Sequence, residues 1–360
     1  RSKSLLMFRR KDLASPAGMV LGQPGSGKSL AVKLEIAQVM LGTRDDIVII
    51  DPEGEYTPLV QALGGQVVEI SSGSSAHLNP MDITEDYADA DNPLILKSQF
   101  LQTFCELVVG GGGISAAERT YIDRAARLTY AKYFNNPSKQ EMPCLQDFYS
   151  NLTAQGSGAG DIATALSIYV DGSMDVFAHQ TNVDMSSRLV CFNTVKLGKP
   201  LQTLGMTVVL DQIWNRITLN RTTGRRTWIY TDEFQLLLRD KECMNYYFEI
   251  SGRARKWGAI LTSITQHVES ILMDEDARRM LSDCQYIKLL NQAPLDAQQL
   301  GKLLKISPEE LDYITNVNAG SGLLIAGNAV VPFTNDFPTD TELYKLMDTN
   351  PNSAKTMTRI

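Results

Sequence analysis

The stretch Gly22-Gln23-Pro24-Gly25-Ser26-Gly27-Lys28-Ser29 has the G-x-x-x-x-G-K-[ST] spacing of a phosphate-binding loop. The apolar residues Met19–Leu21 before it predict the end of a buried strand, and apolar residues recur at helical spacing from Leu30 to a helix stop at Gly42. A loop between a strand and a helix is the context that this motif requires, because the helix N-terminus then faces the anion. A glycine-rich turn that contains a lysine by coincidence is the alternative.

Each residue type in this loop has a physical role toward a nucleotide. We expect the three glycines of the loop to let the backbone turn with positive φ and to bring its N–H groups close to phosphate oxygens. Lys28 is expected to reach the β- and γ-phosphates of ATP, and Ser29 to hold Mg²⁺. The predicted nucleotide-binding residues are Gly22, Pro24, Gly25, Ser26, Gly27, Lys28, Ser29, Leu30 and Glu53.

Glu53 follows another predicted strand. The β-branched run Ile47–Ile50 is too short for a helix and predicts a buried strand, which ends in Asp51-Pro52-Glu53-Gly54-Glu55-Tyr56. Acidic groups placed directly after a core strand lie at the edge where parallel α/β sheets bind ligands. A solvated turn is the open alternative, because Pro52 and Gly54 explain such a turn by themselves.

A hydrophobic strand that ends in two carboxylates supplies the second half of the predicted site. The strand Thr227–Thr231 is followed by Asp232-Glu233, and we expect Asp232 to hold the Mg²⁺ shell and Glu233 to polarise the attacking water. The pattern is weak alone, since acidic strand ends occur in many α/β proteins. Behind a phosphate-binding loop it predicts ATP hydrolysis.

A basic segment and a further strand end complete the candidate catalytic set. Gly252–Gly258 contains Arg253 and Arg255 and is predicted to be a turn that leads into the strand Ala259–Ile264 and then Gln266. Gln266 is a candidate reader of the γ-phosphate, and either arginine is a candidate finger that reaches the nucleotide of a neighbouring subunit. A solvated basic turn is the alternative for the arginines.

Composition restricts the class of protein. With 360 residues, 43% hydrophobic and 21% charged, the chain is expected to form a globular fold with a sizeable core. Its five scattered cysteines form no C-x-x-C pair, which indicates a reducing compartment and argues against zinc.

The net charge of −7 gives no indication of a nucleic-acid partner, although a locally basic loop would not show in that total. No run of residues approaches the ~20 apolar residues of a membrane span. Because the sequence begins at Arg1 rather than Met, we expect it to be part of a longer protein.

The chain is predicted to hold one core interrupted by helices. Residues 1–83 and 184–345 are expected to form an α/β core with a central, mostly parallel sheet, and residues 346–360 a polar tail. Residues 84–183 contain few β-branched runs and are predicted to form an all-helical insertion, opened by an acidic run (Glu85, Asp86, Asp89 and Asp91). Its predicted mobile joints are the glycine runs Gly110–Gly113 and Gly156–Gly160. Between them, Ser115 and Glu118 predict a capping box at the start of a helix that Asn135-Asn136-Pro137 ends.

Together these segments resemble the HerA/FtsK superfamily of RecA-like motor ATPases. Within it the chain looks most like the TraC/TrbE/CagE (VirB-four-like) ATPases of type IV secretion and conjugation. The resemblance rests on the ordered combination of segments along nearly the whole chain: Gly22–Ser29, Ile50–Tyr56, Asn79–Asp82, Ile229–Phe234, Arg253–Gln266, Gly320–Leu324 and Pro332-Phe333.

The resemblance implies a RecA-like P-loop core that forms hexameric rings, uses ATP and Mg²⁺, and works at the cytoplasmic face of the cell membrane. It also implies membrane-embedded secretion-apparatus proteins and other secretion ATPases as partners, and a docking domain N-terminal to this chain. Two other functions remain open: a DNA translocase or coupling protein of the same fold, and a nucleotide-sensing assembly module without turnover. The water-polarising role expected of Glu233 disfavours the assembly module, and the net charge of −7 disfavours the DNA translocase.

Overall fold

Short apolar strands form one nine-stranded sheet in the computed structural model, which describes residues 4–71, 73–84, 87, 92–110 and 113–348. The strands are β1 (Gly18–Leu21), β2 (Asp46–Asp51), β3 (Gln66–Glu69), β4 (Leu189–Asn193), β5 (Thr227–Thr231), β6 (Ala259–Thr265), β7 (Tyr286–Leu289), β8 (Ser321–Ala326) and β9 (Ala329–Thr334). Their order in the sheet is β3-β4-β2-β5-β6-β1-β7-β8-β9. Neighbours from β3 to β7 pair in parallel, and β8 and β9 add an antiparallel hairpin at one edge. The predicted α/β fold with a mostly parallel sheet is confirmed.

Helices cover both faces of this sheet. They are α1 (Lys28–Gly42), α2 (Thr57–Ala62), α3 (Pro93–Val109), α4 (Ala116–Asn135), α5 (Leu145–Thr153), α6 (Gly160–Val170), α7 (Gly198–Thr222), α8 (Lys241–Lys256), α9 (Val268–Met273), α10 (Glu275–Asp283), α11 (Pro294–Leu304), α12 (Pro308–Leu311) and α13 (Glu342–Met347). Successive strand residues point to opposite faces, so Val20 packs with Val32 of α1 while Met19 and Leu21 join the layer formed with α7, α8 and the insertion. Burial on both faces explains the nearly continuous apolar strands.

The segment 84–183 contributes α3 to α6, and its described residues include no strand. The capping box forms as predicted, with Ser115 Oγ accepting from the Glu118 N–H and the Glu118 carboxylate accepting from the Ser115 N–H. Apolar side chains of these helices share one buried cluster with the sheet. The boundaries at residues 84 and 183 stay a prediction.

The acidic run and the first glycine run of the insertion include residues that the structure does not describe. Glu85, Asp86, Asp89, Asp91, Gly111 and Gly112 lie outside the described residues. In the second glycine run, a Cβ on Gly158 would come within 2.3 Å of the Tyr121 hydroxyl, so this glycine permits close packing. The mobility of either joint stays a prediction.

Three sequence-based boundaries need correction. The predicted basic turn at Arg253 and Arg255 is the last turn of α8, because the amphipathic helix continues through Lys256. The apolar residues Leu204, Val208, Ile213 and Ile217 predict a helix over about 203–218, but helix α7 is longer and extends from Gly198 to Thr222. Helix α13 crosses the predicted start of the tail at residue 346, and residues 349–360 lie outside the described part of the chain.

Strand register brings the predicted motifs to one edge of the sheet. Leu21, at the end of β1, pairs with Thr265 of β6 and Leu289 of β7, and Ile50 of β2 pairs with Thr231 of β5. The segments that follow these strands therefore emerge side by side at the carboxyl edge, where parallel sheets place their ligands.

Candidate active site

The loop Gly22–Ser29 joins β1 to α1 and has the conformation that its glycines allow. Gly25 and Gly27 have φ values of 74° and 92°, in the left-handed region that favours glycine. The expectation of positive φ at Gly22 is wrong. Gly22 is needed for close approach instead, since a Cβ there would lie 2.6 Å from Ser26 Oγ and 2.9 Å from Leu290 Cβ.

Lys28 folds back across this loop. Its ammonium group donates to the carbonyl oxygens of Gly22 (2.7 Å) and Gln23 (3.0 Å). Burial lowers the pKa of Lys28, and the nearby carboxylates Asp232 and Glu233 oppose that shift. A desolvated cation whose present partners are loop carbonyls is poised to bind an anion.

Asp232 and Glu233 follow β5 beside this loop. Asp232 is buried, and its carboxylate accepts from the Glu233 N–H at 3.0 Å. Burial raises the pKa of Asp232 to about 7, and the neighbouring carboxylates of Glu233, Asp51 and Glu55 add to the shift. Glu233 itself has φ 46° and ψ 45°, a left-handed conformation that is costly for a residue with a side chain. This backbone conformation places the Glu233 carboxylate beside the Gln266 amide.

Two amides hold the Glu233 carboxylate. Gln266 Nε2 lies 3.3 Å from both of its oxygens, and Gln235 Nε2 also donates to Oε2. The Gln235 amide oxygen in turn accepts from the Thr265 hydroxyl at the end of β6. The structure thus brings Gln266 to the predicted catalytic residue. Gln235 was missed by the sequence analysis, and its position two residues after Glu233 was the only signal for it.

The loop after β2 forms the acidic side of the site. Asp51 is buried and accepts from the backbone N–H groups of Glu55 (3.1 Å) and Tyr56 (3.0 Å), which fixes the turn. Glu53 is exposed in this turn. Partial desolvation and the nearby carboxylates of Glu233, Glu55 and Asp51 raise the pKa of Glu53. Its role in nucleotide binding stays a prediction.

Arg253 and Arg255 are not part of this site within one chain. They lie at the end of α8, which leads to the amino end of β6, whereas Gln266 follows the carboxyl end of that strand. The seven residues of β6 separate the two ends by about 20 Å, at roughly 3.3 Å per residue. Arg253 is 3.9 Å from Glu249 and lines a small cavity with Tyr87, whereas Arg255 is exposed.

The residues at this edge fit a magnesium nucleotide. The buried Ser26 hydroxyl has no hydrogen-bond partner among the described residues. Among the same described residues, no carboxylate lies within ion-pair distance of Lys28, whose ammonium group bonds to loop carbonyls. Opposite them, carboxylates raise one another's pKa values, a situation that a divalent cation relieves. The described residues include no group of three or more His, Cys, Asp or Glu side chains arranged as a metal site. Mg²⁺ at Ser29 and Asp232 would therefore need phosphate oxygens as further ligands, as is usual for this ion.

Comparison with known proteins supports the fold. Residues 10–91 match the family described as the central domain of the helicase HerA. The structure of VirB4 of Thermoanaerobacter pseudethanolicus superposes with a TM-score of 0.81 at 22% identity, over 93% of this chain and 94% of that one. This chain has the VirB4 fold.

The same fold relates the chain to a second kind of protein. The bacterial conjugative coupling protein TrwB, in a form with sulphate, superposes with a TM-score of 0.57 at 16% identity, over 91% of this chain and 88% of that one. TrwB in complex with the ATP analogue ADPNP superposes with a TM-score of 0.55 at 17% identity, over 89% and 87% of the two chains. No curated protein sequence matches this chain significantly. None of its described helices is long and apolar enough to cross a membrane.

Proposed function

We propose that this chain is an ATP-hydrolysing motor domain of a type IV secretion or conjugative transfer system, which energises pilus assembly or substrate translocation. The observation that carries the proposal is the Glu233 carboxylate, oriented by Gln235 and Gln266 beside a phosphate-binding loop. The extent of the VirB4 fold match supports the choice of system.

The residues at the site divide the work of hydrolysis between them. The loop Gly22–Ser29 and Lys28 bind the phosphates of ATP, with Leu30 at the start of α1 and Glu53 on the acidic side. Ser29 and Asp232 hold Mg²⁺, which neutralises charge on the phosphates when bound. Glu233 accepts a proton from the attacking water, and Gln266 links the carboxylate to the end of β6.

The missing cation of the site comes from a neighbouring subunit. Phosphoryl transfer develops charge that an arginine stabilises, and the two candidate arginines lie at the far edge of the sheet from their own site. Arg255 is the better candidate because it is exposed, and Arg253, which pairs with Glu249, is the alternative. This arrangement requires a homo-oligomer, which we propose to be a hexameric ring.

The setting follows from the proposed system. The ring works at the cytoplasmic face of the cell membrane, bound to membrane-embedded secretion-apparatus proteins and to other secretion ATPases.

The TrwB fold match favours a second candidate, a DNA translocase or coupling protein. ATPase activity measured with and without double-stranded and single-stranded DNA separates the two. Turnover that does not respond to DNA supports the secretion motor, strong stimulation supports the translocase, and no turnover in assembled rings contradicts both.

A further inference from the structure

Two segments that lie far along the chain form hydrogen bonds with the backbone of the phosphate-binding loop. The carbonyl of Asn291, just after β7, accepts from the Gln23 N–H at 2.8 Å, and the Asn291 amide oxygen accepts from the Val317 N–H at 3.2 Å. The Gly320 N–H donates to the Ser26 carbonyl at 2.9 Å, and the Gly320 carbonyl accepts from the Asn335 N–H at 2.7 Å. These bonds tie the loop backbone to residues about 270 to 300 positions away.

Steric contact reinforces these bonds. Gly320 has φ +80°, and a Cβ added there would lie 3.2 Å from the Asn335 carbonyl oxygen. A Cβ on Gly27 would lie 3.0 Å from the Gly320 nitrogen. The two backbones therefore touch directly, and a side chain on Gly320 displaces the turn that contacts the loop.

A loop held in this way loses less conformational entropy when it binds phosphate than a free loop does. We propose that Asn291 and the turn Val317–Gly320 form a clamp that positions the phosphate-binding loop, with Asn291 as a positioning residue for nucleotide affinity. The clamp rests on the proposed nucleotide site. It is independent of whether the bound nucleotide is hydrolysed, since the side-chain hydrogen bonds of the Glu233 carboxylate among the described residues come from Gln235 and Gln266 and not from either segment.

The test compares two clamp variants with two matched controls. Asn291→Ala removes the amide that joins the two segments, and Gly320→Ala strains the turn. Asn79→Ala is the control for the first, because the Asn79 amide oxygen also accepts a hydrogen bond from a backbone N–H (Met81, 3.0 Å), but at the base of the insertion. Gly224→Ala is the control for the second, because Gly224 has φ +67° with open space around it, in the turn after α7.

Three quantities are measured for each variant of the full chain: the dissociation constant of a fluorescent ATP analogue with Mg²⁺, the thermal midpoint, and hydrogen exchange of residues 22–29 without nucleotide. The clamp predicts that both clamp variants weaken binding about 3- to 10-fold, as expected for one lost hydrogen bond. Exchange in residues 22–29 should rise in the same two variants. The controls should lose thermal stability without either change.

Clamp variants that match their controls in affinity and in loop exchange overturn the proposal. If Asn291→Ala does not fold, Gly320→Ala against Gly224→Ala decides by the same two readouts. A wild-type chain that binds the analogue but does not hydrolyse ATP contradicts the proposed function alone, and the affinity comparison then still tests the clamp.

Discussion

Gln266 donates its side-chain amide to both carboxylate oxygens of Glu233 at 3.3 Å, across two neighbouring parallel strands. The contact joins the residue expected to activate water to the end of β6, the strand that begins next to Arg255. The hydrogen bond therefore places the end of β6 against the Glu233 carboxylate, which comes from the neighbouring strand β5.

Glu233→Gln should retain ATP binding and lose turnover by at least ~10², because the amide keeps the shape of the side chain but cannot accept the proton of the attacking water. The measurement is kcat together with a direct ATP dissociation constant. Equal turnover in the wild type and in this variant would refute the role assigned to Glu233.

Gln235→Ala and Gln266→Ala should each lower kcat roughly 10-fold and leave ATP affinity unchanged, because each removes one of the amides that orient Glu233. Combining either change with Glu233→Gln should add little, since the two residues act through the carboxylate. Independent, multiplicative losses in the double variants would show that the amides act elsewhere.

Mixed rings test the arginine in trans. Arg255→Ala and Lys28→Ala subunits should each be inactive alone, and their mixture should recover part of the turnover because some interfaces pair an intact loop with an intact arginine. The specific activity of the wild type should also rise with protein concentration. Without recovery under conditions where wild-type rings form, and again with Arg253→Ala, neither arginine serves its neighbour.

The helical insertion should open before the central strands. Hydrogen exchange in residues 84–183 should be faster than in β1, β2 and β5, because the glycine runs Gly110–Gly113 and Gly156–Gly160 interrupt this helical segment. Exchange protection of the insertion equal to that of the strands would count against this prediction.

A buried ion pair joins the insertion to the core. Lys97 of α3 and Asp211 of α7 are fully buried at 2.5 Å, and the Tyr246 hydroxyl of α8 also donates to Asp211 at 3.2 Å. Burial lowers the pKa of Lys97 and raises that of Asp211, and each partner's charge opposes the shift of the other. Lys97→Ala should therefore lower the free energy of unfolding by about 3–5 kcal/mol, because it leaves a carboxylate buried without its cation.

The control for this change is an exposed ion pair with a similar distance between the lysine nitrogen and the carboxylate oxygen. Lys196 and Glu69 lie 2.8 Å apart with side chains 62% and 46% exposed, so Lys196→Ala should cost under ~1 kcal/mol. Urea unfolding of the two variants gives the comparison. Similar losses in both would mean that the Lys97–Asp211 pair contributes no more than a surface pair.

Much of the site was predictable because its signals are local. The phosphate-binding loop, the two carboxylates after β5 and the position of Gln266 are each encoded within a few consecutive residues. The rule that parallel strands present their carboxyl ends at one edge then brings these motifs together. Gln235 and Asn291 had no such signal, since an amide side chain is common in loops and acquires its role only from the backbone it meets.

The sequence by itself determined the strands, the loop and the chemical groups for nucleotide hydrolysis, because short continuous apolar runs and glycine spacing depend on neighbours along the chain. Only the tertiary structure decided the strand order, the helical setting of Arg253 and Arg255, and their distance from their own site. It also decided that Arg10, one of a basic run, is buried with Glu35 at 2.8 Å and over the Tyr286 ring. The physical reason is that such contacts join residues far apart in the chain, where only packing of the whole core selects the partner.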